Sequence, residues 1–269
     1  MSLKGNPLQT IINPKCQRES VIIARILFKE EPKLEVHQGK EAHLKEPSFL
    51  RGKHLSKERY CIGYSVIGKL IPHGILLTKG HQCEECKKRD AFSFCSMCDG
   101  RTCYNSRTFE EWCSQPFFVY LAYFGGKIVK VGVAAKRRLK ERLWEQGAIA
   151  YKLVGEFEDG MKARRKESEM RKELPDKLTL SQKLKLYREL DLDWFESKYG
   201  VDGILKANLD ASSALSSQIL LREVNFIPDE DFKLLGNLLI FRRFLINFKS
   251  LIGKKVVKRS VLSDFAKRS

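Results

Sequence analysis

The chain has 269 residues, 43% of them hydrophobic and 31% charged, which allows one large domain or two to three small ones with real cores. Lys and Arg number 50 against 33 Asp and Glu, a net charge of +17. That excess points first to nucleic acid as partner and argues against a pure protein-interaction scaffold; a solvated lysine-rich surface is the blander alternative. No apolar run reaches the length of a membrane span, the most apolar stretch (234–248) being broken by Arg242 and Arg243, and the N-terminus MSLKGNPLQT lacks the apolar core of a signal peptide. The expectation is a cytoplasmic chain with no membrane partner, where paired thiols bind metal more often than they form disulfides.

Residues 1–19 show no clear period. Residues 20–28 (SVIIARILF) read as a buried strand, with 34–37 as its hairpin partner and 38–57 as a loop or short helix. Residues 60–69 and 73–79 again read as strands, bent at Ile71-Pro72-His73. The first 80 residues are therefore expected to form a small antiparallel β platform. His37, His43, His54 and His73 are scattered through it without visible chemistry, and Cys16 and Cys61 read as ordinary buried thiols.

Cys83-x-x-Cys86 is followed by Cys95-x-x-Cys98. Each pair sits on a tight turn that aims two sulfurs at one centre, and two such knuckles make the tetrahedral thiolate cage that zinc prefers. The expectation is a zinc ribbon over 81–115 with Cys83, Cys86, Cys95 and Cys98 as ligands. Such a site has no open position, so the metal staples the loop rather than catalysing. Cys103 and Cys113 are either core thiols or part of a second, incomplete site with His81.

Residues 116–178 form the expected central module. The run 117–124 (FFVYLAYF), then Gly125-Gly126, then 128–133 reads as a β-hairpin, followed by a basic helix over 136–146. Side chains alternate along strands, so Tyr120 and Lys130 reach one surface only if the loop is odd in length, pairing Tyr120 with Gly132 and Ala122 with Lys130. A two-residue turn puts them on opposite faces. Lys136, Arg137, Arg138 and Lys140 on the helix are candidate phosphate contacts. Leu139 and Leu143 face inward with Arg142 at the edge of that face, and Gly147 suits the helix end. A second helix over 161–174 carries the stripe Ala163, Glu167, Met170 and Leu174. Its inward carboxylate, Glu167, needs a cation, either an arginine or a divalent metal such as magnesium or manganese.

In the C-terminal region (179–269), Thr179 and Gln182 suggest a capping box. Leu180, Leu184, Tyr187, Leu190 and Trp194 continue at helical spacing toward a stop at Gly200. Residues 211–221 suggest a short helix, and 234–257 two or three short strands that complete the N-terminal platform. A basic tail occupies 254–269.

The order hairpin, helix, glutamate resembles the GIY-YIG nuclease module, with Val119-Tyr120-Leu121 and Lys130-Val131-Gly132 at the two signature positions; Lys130 stands where that family has its second tyrosine, and Phe118 replaces the first-strand glycine. The resemblance implies Tyr120 acting on water, Arg142 steadying phosphate and Glu167 holding a divalent metal, with Lys130 as a further catalytic candidate. A closer resemblance, over roughly 60–176, is to an uncharacterised prokaryotic family of unknown function. It rests on Cys113-x-Gln115-Pro116, Val119-Tyr120-Leu121-Ala122, Lys130-Val131-Gly132, Arg142 and Gln146-Gly147-Ala148. The expected fold is α+β: a β platform with zinc ribbon, a GIY-YIG-like module, then a helical and β C-terminal region. The expected function is nucleic-acid binding with metal-dependent phosphodiester cleavage. The alternative is a non-catalytic, ribosome-associated RNA-binding protein in which Glu167 and Arg142 form only a structural ion pair.

Overall fold

The computed structural model describes residues 20–67, 69–93, 95–103 and 109–257. The readings for the first nineteen residues, Cys16 among them, and for the tail beyond Val257 lie outside these. The N-terminal apolar run becomes β1 (Ile22–Phe28), paired antiparallel with β2 (Pro32–Gln38) and through it with β3 (Glu41–Lys45). β3 falls in the stretch expected to be loop or helix. It is nearly all exposed, so its sequence lacks the apolar alternation that marks a half-buried strand.

The next segment is a set of short nested pairs. After β4 (His54–Leu55), β5 (Arg59–Tyr60) pairs with β8 (Leu76–Leu77), enclosing the hairpin of β6 (Tyr64–Val66) and β7 (Lys69–Ile71). The long strands expected here are thus divided. Helix α1 (Glu84–Arg89) follows, then a 3-10 turn over Cys95–Met97 and a π turn over Phe109–Cys113.

β9 (Phe117–Tyr123) is apolar on both faces and takes the centre of a sheet, as such strands do. β10 (Val129–Ala135) pairs on one side with Gly132 opposite Tyr120 and Lys130 opposite Ala122, the register of the odd-length loop. Gly125 and Gly126 both have positive φ, and a Cβ on Gly125 would stand 1.9 Å from the Leu186 carbonyl oxygen, so the turn admits no side chain there. A 3-10 turn over Lys136–Arg138 leads into α2 (Leu139–Gln146), which ends on left-handed Gly147 as expected. β11 (Ala150–Phe157), not anticipated from sequence, pairs with the other side of β9. α3 (Gly160–Met170) then packs across β9, β10 and β11.

The Thr179–Gln182 capping box is present and opens α4 (Leu180–Leu186). The expected long helix breaks here: Asp191 caps a separate helix, α5 (Leu192–Tyr199). β12 (Gly203–Ile204) extends the central sheet to the order β10-β9-β11-β12. α6 (Lys206–Ser212) begins before the helix expected at 211–221, and the end of that stretch is instead β13 (Ile219–Leu221). β14 (Lys233–Leu235), β15 (Leu238–Ile240) and β16 (Phe244–Asn247) join β13 in a sheet of their own. That sheet packs on the N-terminal one rather than extending it. Leu239, Phe241, Ile246 and Phe248 share one core with Ile23, Phe28, Leu34 and Val36. β17 (Val256–Val257) pairs with β4, and Lys254 is buried with its ammonium on the Val224 carbonyl, so these residues belong to the fold and not to a free tail.

The second core lies between the central sheet and its helices. α2 stands between the two halves: Leu139 and Leu143 enter the central core, while Trp144 meets the ring of Phe28 at 5.8 Å. Among the described residues no helix is long and apolar enough to cross a membrane. Leu239 is fully buried between the terminal sheets, and Leu239→Ala is expected to cost about 2–5 kcal/mol, read from urea unfolding midpoints.

Candidate functional site

Two places gather chemistry. The first is a thiol and imidazole cluster: Cys61, His73, Cys83 and Cys86 bring one donor atom each to within 4.8 Å of one another. Nested pairing builds it. The Cys61 N–H donates to the Ile75 carbonyl and the Gly74 N–H to the Cys61 carbonyl, at 2.8 Å each, so His73 is drawn beside Cys61. Cys83 caps α1, and the Cys86 N–H donates to its sulfur at 3.4 Å; the Cys83 and Gly63 N–H groups donate to Cys61 Sγ at 3.3 and 3.4 Å. His73 Nδ1 stands 3.4 Å from Cys83 Sγ and 3.2 Å from Cys86 Sγ. A tetrahedral zinc with its usual bond lengths sets such edges at about 3.6 Å. The donor set and its N–H···S bonds suit a metal such as zinc.

The cluster corrects the expected ligand set. Cys83 and Cys86 are members, but Cys95 and Cys98 lie elsewhere, and Cys61 and His73 complete the four. A Cys-x-x-Cys spacing fixes two ligands on one turn and says nothing of which distant pair joins them. The signal that sequence reading passed over is that Cys61 and His73 flank a single hairpin.

The second place is a cleft of about 400 Å³ where the central module meets the C-terminal sheet. Lys130, Arg142 and Gln146 line it from one side, Lys183 from α4, and Asn237, Asn247 and Lys249 from the C-terminal sheet and the turn after it. Gln146 is its joint. Its Oε1 accepts from Lys130 Nζ at 2.6 Å and its Nε2 donates to the Tyr120 hydroxyl at 2.7 Å. Tyr120 is buried with its ring over Gly132, where a Cβ would come within 2.7 Å of it. Successive carbonyls at the end of α2 are bonded by side chains from far along the chain: Glu145 by Asn237, Gln146 by Lys183, Gly147 by Tyr187 and Ala148 by Asn208.

Arg142 and Glu167 both act electrostatically on Tyr120 and Lys130, though Glu167 is not part of the cleft lining. Arg142 pairs with Glu145 at 2.9 Å, not with Glu167. Glu167 is partly buried on α3, and of the cations that act on it Arg171 pairs with Asp176. Burial raises its pKa, against the pull of Arg164 and Lys130. Lys136, Arg137, Arg138 and Lys140 are exposed. Three are already engaged: Lys136 with Glu156 at 2.8 Å, Arg138 with Glu141 at 3.1 Å, and Arg137 over the Trp112 ring at 4.6 Å.

Burial pushes the Tyr120 hydroxyl up to about 12, against Arg142 and the Gln146 hydrogen bond. Burial, reinforced by Arg142, lowers Lys130 to about 8. Lys183, buried over the Phe124 ring and facing Lys130, Lys249 and Arg142, falls to about 7. Lys183 was missed in the sequence, although it lies three residues after Leu180 and four before Tyr187, on the inward stripe. Lys249 offered no such pattern.

Two outcomes follow. Cys61→Ala or His73→Ala is expected to lower bound metal by one equivalent per chain, measured by plasma mass spectrometry. Lys183 titrates at about 7 folded against an ordinary 10.5, so the unfolded chain holds its proton more tightly. The resulting penalty on stability is full below pH 7 and fades as pH rises toward 10.5. Lys183→Met should therefore shift Tm upward relative to the parent more at pH 6 than at pH 9.5.

No curated protein and no solved structure matches the chain. A family match spans residues 75–229, which takes in Cys83, Cys86, the hairpin, Arg142, Glu167 and Lys183 and leaves Cys61 and His73 outside. Over more than half its length, then, the chain carries the pattern of one family, and it belongs to that family, described as Protein of unknown function (DUF2797).

Proposed function

We propose that the protein binds nucleic acid, seating a backbone phosphate in the cleft between Lys130, Arg142, Lys183 and Lys249. The observation that carries this is the convergence of these four cations from separate elements on one cleft, with Lys177 beside them, against two acidic residues, Glu145 and Asp176, on the same wall. A second cleft, of about 170 Å³ and lined by Arg25, Lys29 and Arg138, shares Glu145, Asn237 and Lys249 with the first. The cations thus follow a track, which suits successive phosphates of a strand better than one isolated anion. The Cys61–His73–Cys83–Cys86 cluster holds a structural zinc: three sulfurs and one imidazole fill the tetrahedron and leave no position for substrate.

A reading with catalysis adds phosphodiester cleavage beside the cleft. In a GIY-YIG-like reading, Arg142 and Lys130 hold the phosphate, Glu167 holds magnesium or manganese, and the metal polarises a phosphoryl oxygen. Tyr120 favours the second reading, an RNA-binding protein without catalysis, associated with the ribosome. Its hydroxyl is buried, bonded to Gln146 and pushed up to about 12, so it does not serve as a base near neutral pH.

Labelled single- and double-stranded DNA and RNA, incubated with Mg²⁺ or Mn²⁺ and with chelator, separate the two. Metal-dependent cutting that Glu167→Ala abolishes establishes a nuclease; tight binding without cutting establishes the binding protein. Binding itself is expected to fall with salt, with a log–log slope of about −3 for four phosphate contacts on a single strand. Lys249→Ala should make that slope shallower by about one. Because bound phosphate favours protonated lysines whose free values are about 7 and about 8, affinity should weaken as pH rises from 6.5 to 9. Absence of salt-dependent binding to any of the four nucleic acids defeats the proposal.

A further inference from the structure

Among the described residues, the four cysteines outside the first metal cluster form a group of their own. Cys95 and Cys98 sit on one 3-10 turn, the Cys98 N–H pointing at the Cys95 carbonyl at 3.4 Å. Cys98 Sγ lies 3.8 Å from Met161 Sδ. Cys113 Sγ stands 2.4 Å from where a Cβ on Gly160 would be, so the thiol lies close against the start of α3. Both sulfurs thus meet the first two residues of α3. Cys95 is within electrostatic reach of Cys98 and Cys103, Cys113 is within reach of Cys98, and Arg164 acts on both Cys95 and Cys113. Burial raises the Cys95 thiol and pushes Cys113 up to about 11, with Arg164 pulling both the other way, so these thiols lose their protons to a metal rather than to water.

The same stretch is short of core. Among the residues between Lys87 and Pro116 whose burial is described, a set that leaves out Ser96 and Phe109, Gly100 is buried and the others are partly or fully exposed. Phe92 and Trp112 meet edge to face at 5.5 Å.

We propose that Cys95, Cys98, Cys103 and Cys113 bind a second, structural zinc ion that ties this segment to the start of α3. The chain then carries two zinc sites, one of three cysteines and a histidine and one of four cysteines. Among the described residues the first set alone has its donors drawn within 4.8 Å, and the second is more open. Zinc in the second would bring its sulfurs to about 3.7 Å of one another. The proposal stands apart from the nucleic-acid reading, since neither metal touches the cleft.

The test is metal stoichiometry on the full chain, purified with reductant and without chelator, by plasma mass spectrometry. Two zinc per chain are expected, falling to one in Cys61→Ser, to one in Cys98→Ser and to none in the double variant. Cobalt exchange gives a second readout that does not depend on variants folding: two cobalt per chain, with the d–d bands of a three-thiolate, one-imidazole centre and of an all-thiolate centre superposed. One zinc in the parent chain, with a single three-thiolate, one-imidazole cobalt spectrum, overturns the proposal. One zinc kept by Cys61→Ser but lost by Cys95→Ser overturns it as well, and the assignment of the first site with it, in favour of one ribbon made from both Cys-x-x-Cys pairs.

Discussion

The Tyr120 ring fills the space above Gly132, and the chemistry of the cleft depends on that contact. A side-chain carbon at position 132 would lie 2.7 Å from the ring, so the hairpin keeps Tyr120 flat against its partner strand. From there its hydroxyl reaches Gln146, Gln146 reaches Lys130, and the end of α2 is held against the sheet. Slipping the pairing by one residue would send Lys130 to the other face of the sheet and detach the chain of bonds at its middle.

The cleft lies where three parts of the chain meet. The central module supplies Lys130 and Arg142, α4 supplies Lys183, and the turn after β16 supplies Lys249. Burying several like charges together is costly, and here the cost appears as lysines that hold their protons weakly. A fold that keeps such groups facing one another gives up stability at this place, as functional sites often do.

Local patterns were legible from sequence where the physics is local. The capping box at Thr179, the left-handed glycine after α2 and the inward glutamate of α3 each follow from a few neighbouring residues. The hairpin register came through because a buried Tyr120 and a closely packed Gly132 tolerate one alignment. What escaped was set by distant contacts. β11 mixes Lys152 and Glu156 among its apolar residues, and becomes a strand because β9 needs a partner on its second edge. The helical period from Leu180 to Trp194 is real but runs across a break, where Asp191 bonds the Trp194 N–H and its backbone meets the Tyr123 hydroxyl. Cys83 and Cys86 were expected to stand together, while the residues that join them, Cys61 and His73, are brought in by the nested pairing of β5 with β8.

The bonds at the end of α2 bear on how the protein reaches this structure. The carbonyls from Glu145 to Ala148 take donors located 92, 37, 40 and 60 residues downstream. During synthesis these oxygens stay hydrated until the later segments emerge, and the helix that carries Arg142 and Gln146 gains its final setting only then. Folding that waits on contacts so far apart is slow compared with helix or hairpin formation. A nascent or truncated chain ending before Asn237 would lack the side chains of Asn237, Asn247 and Lys249 that complete the cleft; its walls come together as one of the last events in assembly.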